Sequence, residues 1–231
     1  MLEQLKLYFL YFIIYAMIGW FLEEIYAYGT KKKITNRGFF IGPYCPIYGI
    51  GCILIILLLS SYKEHPAGMF VLAIIICSVL EYITSYLMEK LFKARWWDYS
   101  KTKYNIDGRV CADTMIPFGI IACIVIYVLH PAIISVLSKI PSDTLNIITI
   151  VILVIFVSDL ITSFNVVNNF KKTIKKASLE DKTDDINNYI KEILSKRSLL
   201  YRRLLHAFPN SYAIIKKRIN KTIKPNTNKK D

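Results

Sequence analysis

Histidine and acidic side chains are scarce in this chain. Three histidines and 17 aspartates and glutamates stand among 231 residues, and only 20% of the chain is charged. His65, His130 and His206 are scattered, which argues against a histidine-based triad. His65 and His130 each precede a proline and are expected at helix ends. The patterns G-x-S-x-G and H-E-x-x-H are missing. The phosphate loop G-x-x-x-x-G-K-[ST] is missing too, so the chain carries no ATP-binding loop of its own. The five cysteines, Cys45, Cys52, Cys77, Cys111 and Cys123, include no C-x-x-C pair. A disulfide framework or zinc site is therefore not expected, and neither a cofactor nor a metal site is assigned.

What is present is apolar length. The chain is 54% hydrophobic, with a mean hydropathy of +0.38. A helix needs about 20 mostly apolar residues to cross the hydrocarbon core. Five stretches qualify: Leu5–Tyr28, Tyr44–Tyr62, Ala67–Phe92, Asp113–Leu137 and Thr144–Phe164. The expected fold is an all-α bundle of about five transmembrane helices. The second stretch opens on Pro43, Pro46, Gly49 and Gly51, so a broken or re-entrant start is expected there before Ile53–Leu59. The initial apolar run carries two glutamates and no small-residue cleavage site, and is read as a retained span.

The net charge of +13 is uneven. Residues 1–165 hold 13 Lys and Arg against 11 Asp and Glu, whereas residues 166–231 hold 17 against 6. Basic loops alternate with poor ones: Lys31, Lys32, Lys33 and Arg37 after the first span, Lys63 after the second, five basic residues from Lys93 to Arg109 after the third, and Lys139 after the fourth. The positive-inside rule then sets the N-terminus outside and the C-terminus in the cytoplasm of a multi-pass cell-membrane protein. Residues 1–165 form the membrane domain. Residues 166–210 read as a cytoplasmic amphipathic helix, resting on the inner membrane surface or packing on its own domain. Residues 211–231 form a basic, disordered tail. A basic tail is what the same rule expects, so nucleic-acid binding is a poor use of this charge.

Several acids lie where they are costly. Glu23 and Glu24 stand near the end of the first span, Glu81 well inside the third with Glu89 two turns on, Asp113 at the start of the fourth, and Asp159 near the end of the fifth. Charge near the bilayer centre costs a few kcal/mol and needs a partner or water. In the expected orientation all six fall toward the cytoplasm. Glu81 is the deepest, and is read either as a ligand, proton carrier or general base, or as a neutral or ion-paired residue that fixes helix packing. The loop from Asn36 and Arg37 to Gly49 suits an anionic headgroup or phosphate, or else a tight turn into a kinked helix. Arg95-Trp96-Trp97-Asp98-Tyr99 and Asn105-Ile106-Asp107-Gly108-Arg109 form a second polar loop. Its tryptophans suit the headgroup layer. Its acids and arginines either pair with each other or line a pocket.

Ordered motifs then carry a resemblance. They are Gly19-Trp20-x-x-Glu23, Asn36-Arg37-Gly38-x-x-x-Gly42-Pro43-x-x-Pro46-Ile47-Tyr48-Gly49, Trp97-Asp98-Tyr99-Ser100 and Asn105-x-x-Gly108-Arg109. Arg203-Leu204-Leu205-x-x-Phe208-Pro209 closes the set. Together they resemble the bacterial ABC-transporter type IV, or CmpB-like, family of integral membrane proteins. The resemblance implies a small multi-pass permease. The expected function is a permease-like transport component with a cytoplasm-facing polar cavity for a small molecule or lipid headgroup. Candidate substrate-binding residues are Glu24, Asn36, Arg37, Glu81, Trp97, Asp98, Tyr99, Asn105 and Arg109. Expected partners are membrane lipid and a separate ATPase subunit. The rival readings are a membrane enzyme that acts on a lipid or lipid-linked phosphate with a divalent cation, and a non-catalytic scaffold subunit.

Overall fold

The computed structural model describes residues 1–32, 39–92, 95 and 97–180. Within them the chain forms α1 (Leu2–Lys31), α2 (Pro46–Leu59), α3 (Pro66–Phe92), α4 (Ala112–Ile124), α5 (His130–Leu137) and α6 (Ser142–Glu180). A 3₁₀ turn, Ser60–Tyr62, extends α2, and a π-helical turn, Val125–Leu129, joins α4 to α5. Two short strands, β1 (Asn105–Ile106) and β2 (Val110–Cys111), pair antiparallel between α3 and α4.

Among the described residues, four apolar segments are long enough to cross a membrane: Leu2–Gly29, Pro66–Leu91, Ala112–Leu137 and Ser142–Asn169. At 1.5 Å per residue each measures about 40 Å. This is the expected all-α membrane bundle. Its apolar side chains face outward because lipid covers them; Ile147, Ile150, Val154 and Ile161 are all exposed along α6. The second segment departs from expectation. It spans only Pro46–Tyr62, and its helix is unbroken from the first turn. Pro46 sits at the helix start, where a missing N–H costs nothing, and Cys45 before it is extended.

Gly49 of α2 serves close packing rather than a break. A Cβ at Gly49 would lie 2.5 Å from the Phe12 carbonyl oxygen of α1. Gly19 of α1 leaves the matching space for the ring of Tyr48. Small residues let helices approach where lipid supplies no hydrophobic drive between them. A buried cluster of Ile55, Leu59, Met69, Ala73, Ala122 and Ile126 ties α2, α3, α4 and the π turn together. Tyr11, Tyr15, Cys52, Ile56 and Val125 tie α1 to the same group.

His130 is not at the end of its span, as the following proline suggested. It lies within Ala112–Leu137, where its N–H bonds to the Val125 carbonyl, five residues back. Its Nδ1 is 3.1 Å from the Tyr15 hydroxyl of α1, and its ring meets Tyr11 edge-on.

Candidate functional site

One end of the bundle gathers the polar residues. The C-terminal halves of α1 and α3, the start of α2 and the start of α4 all lie there, and Arg95 with residues 97–111 closes over it as a strap. The strap is shaped by its own sequence. Asp107 (φ 52) and Gly108 (φ 66) both take the left-handed conformation that a primed hairpin turn requires. The Arg109 N–H closes the turn on the Ile106 carbonyl. Asn105 donates to the Thr102 carbonyl and accepts from the Gly108 N–H. A Cβ at Gly108 would lie 2.7 Å from Asp98 Oδ1, so this position is strained for any other residue.

Arg109 anchors the strap to α3. Its guanidinium is buried, donates to Glu89 Oε2 at 2.7 Å and to Ser85 Oγ at 3.2 Å, and lies over the rings of Tyr82 and Tyr86. Arg95 Nε reaches the same Glu89 oxygen at 3.0 Å. The tight ion pair is therefore not between neighbours on the loop. Asp107 instead accepts from the Tyr82 hydroxyl at 2.6 Å, and Arg95 meets Asp98 only at 3.4 Å. Burial would raise the Asp98 carboxyl, but hydrogen bonds from Ser100 and the nearby Arg95 outweigh it and hold the group below the usual carboxylate range. Trp97 donates its indole N–H to the Arg109 carbonyl.

Glu81 lies beneath the strap at 7% exposure. The Tyr99 hydroxyl is 3.3 Å from its Oε1, and Thr114 Oγ1 of α4 is 3.3 Å from its Oε2. Burial, then Glu81 beside it, keep the Tyr99 phenol well above its ordinary range, so it stays a neutral donor. Glu23 of α1 is within electrostatic reach of both Glu81 and Tyr99. It accepts from the Tyr48 hydroxyl of α2 at 2.6 Å.

A second knot holds residues 41–44. Asp159 of α6 accepts the N–H groups of Ile41 and Gly42 and the hydroxyls of Tyr44 and Ser163, at 2.7–3.0 Å. Its carboxylate is thus fully engaged in fixing a turn. Phe156, one turn earlier on α6, stacks on Phe40.

The structure thus brings Glu81, Trp97, Asp98, Tyr99, Asn105 and Arg109 together. Glu24 is buried on α1. Asn36, Arg37 and Trp96 lie outside the described residues, as does everything after Glu180, including most of the expected amphipathic helix and the whole basic tail. The partners that sequence reasoning left off its site list are Ser85, Glu89 and Thr114. The first two had a signal: Glu81, Ser85 and Glu89 are spaced by four, on one helical face. Among the described residues, no three His, Cys, Asp or Glu side chains are grouped to hold a metal ion.

Comparison with curated proteins gave no match, and comparison with solved structures gave none either. Family comparison did match, from residue 10 through residue 164. That region takes in α1 to α5, the strap and the apolar part of α6 through Asp159. On that match the chain belongs to the integral membrane family described as "Putative ABC-transporter type IV".

Proposed function

We propose that this protein is a permease-like component of a membrane transporter, and that its strapped end receives a small molecule or lipid headgroup. The observation that carries the reading is Glu81. It is buried eleven residues, or about 16 Å of helix, before the end of α3. An acid kept at that depth is a site by default unless a cation neutralises it. Glu89 has two arginines and Asp159 has four donors, whereas the described partners of Glu81 are two neutral hydroxyls.

The distribution of lysine and arginine supports a cytoplasmic position for this end in the cell membrane, with the N-terminus outside. Glu24, Glu81 and Tyr99 offer acceptors and a donor from the helices and strap, and the sequence between α1 and α2 adds Asn36 and Arg37 as a candidate anion-binding pair. Such a mixed lining suits a zwitterionic or anionic headgroup or solute. Trp97, Asp98, Asn105 and Arg109 shape the strap that covers it. The family's description supports a separate ATPase as partner, since the chain carries no phosphate loop. No specific observation favours the lipid-enzyme reading.

The test is a transport-dependent phenotype in cells that carry Glu81→Gln or Arg37→Ala, with membrane levels of each variant measured by blot. Both variants are expected to lose the phenotype while staying in the membrane. Full function in both would remove the proposed cavity.

A further inference from the structure

The two oxygens beside Glu81 differ in what they can donate. Thr114 Oγ1 is 2.9 Å from the Cys111 carbonyl oxygen and 3.3 Å from Glu81 Oε2. A threonine hydroxyl has one proton, and a backbone carbonyl has none. The shorter contact claims that proton. Thr114 then faces Glu81 with a lone pair, and an ionised carboxylate, which only accepts, would set oxygen against oxygen with no hydrogen between them.

Distance separates Glu81 from the other acids in the same way. Tyrosine hydroxyls approach Glu23, Asp107 and Asp159 at 2.6, 2.6 and 2.7 Å. Those lengths belong to hydroxyls that donate to a charged carboxylate. Both contacts to Glu81 are 3.3 Å, longer than such a charge-assisted bond. No described salt bridge includes Glu81.

We infer that Glu81 is a neutral carboxylic acid at pH 7, a proton-binding site closed over by the strap. The hydrogen-bond chain then closes without conflict. Tyr99 donates to Oε1, Oε2–H donates to Thr114 Oγ1, and Thr114 donates to the Cys111 carbonyl. Cys111 is the N-cap of α4, so the Thr114 link is fixed within that helix's first turn, and Tyr99 supplies the link from the strap. The ionisable groups that face Glu81 are Glu23 from α1, Cys77 from its own helix and Tyr99 from the strap, with Cys111 beside Tyr99 and Tyr48 of α2 interacting with both Glu23 and Tyr99. None of these is a cation. An ionised Glu81 would be a buried negative charge with no cation among these groups to offset it. The inference deepens the transport reading and rests on it only for its role in the cycle. The protonation state stands on the hydrogen bonds alone.

The experiment is infrared spectroscopy of the purified full-length protein in lipid nanodiscs across a pH series, with glutamate labelled by ¹³C to mark its bands. At pH 7 the wild type is expected to show the carbonyl stretch of a protonated glutamic acid, and Glu81→Gln to lack it. Tyr99→Phe, which removes the donor to Oε1, should move that band to higher frequency. If the wild type shows no such band, or Glu81→Gln keeps it, the proton site is overturned. Should Glu81→Gln fail to fold, Thr114→Val keeps the carboxyl and removes its acceptor. The band must then shift, and an unmoved band overturns the assignment equally. If the band is present but Glu81→Gln transports normally, the transport reading falls and the proton site remains.

Discussion

Arg109→Met tests how the strap is held. The side chain keeps its volume and loses its charge. Two hydrogen bonds go, at 2.7 Å to Glu89 and 3.2 Å to Ser85, together with the cationic contact to Tyr82 and Tyr86. A hydrogen bond to a charged group contributes about 1.5–3 kcal/mol net, and removing one partner of a buried ion pair costs about 3–5 kcal/mol. Glu89 retains Arg95 at 3.0 Å, which places the cost at the lower end, about 3 kcal/mol. By the scaling for chains of this size, that lowers the melting temperature by about 6–12 °C. The assay is thermal unfolding in detergent, followed by dye labelling of cysteines that become exposed. Glu89→Met alone should cost at least as much, because two arginines lose their carboxylate partner on α3. The double variant Arg109→Met, Glu89→Met should lose less than the two single losses added together, as a cycle through a directly coupled pair requires. Single variants that melt within about 1 °C of wild type, or strictly additive losses, would refute the account of the strap's anchor.

Gly49→Ala should destabilise by about 1–3 kcal/mol, since the new methyl meets the backbone carbonyl of Phe12 and one helix must move, whereas Gly29→Ala, with open space around it, should be neutral or stabilising in the same melting assay. Asp159→Ala removes the acceptor of the Gly42 N–H and one of two acceptors of the Ile41 N–H, which keeps Ser163 Oγ at 3.1 Å, and the turn at residues 41–44 should loosen enough to speed maleimide labelling of the adjacent Cys45. In the wild type, burial first and then Glu23 and Glu24 push the Cys45 thiol up to about 12. Its labelling rate should therefore keep climbing with pH past the point where a free thiol levels off. The sign for stability follows: a raised thiol contributes fully below the unfolded value of about 8.5 and fades as pH rises toward 12.

The helices were legible because a bilayer demands long apolar runs, and four of these are as plain in composition as in the fold. The convergence of Glu23, Glu24, Glu81, Glu89 and Asp159 on one end was legible for the same reason, since each sits at the same end of an antiparallel run. The strap's pairing was not. The loop's acids and arginines were expected to pair with each other or to line a pocket, but the left-handed turn at Asp107-Gly108 points Arg109 back to α3, where Glu89 waits two turns beyond Glu81. Strands of two residues are too short to show alternation, so β1 and β2 left no trace in the pattern. Pro131 misled about His130 because a π turn shifts the hydrogen bonding by one residue and lets the helix run through the proline. Gly49 suggested a break when it was spacing for a neighbour.

One element outruns the bilayer. The helix Ser142–Glu180 has 39 residues, about 58 Å, roughly twice the hydrocarbon thickness. Asp159, near its midpoint, grips the backbone of Ile41 and Gly42, and Phe156 presses on Phe40. A stiff rod clamped near its centre behaves as a lever. Leverage applied to the protruding arm would arrive, undiluted by any joint along the rod, at the turn that leads into Pro46.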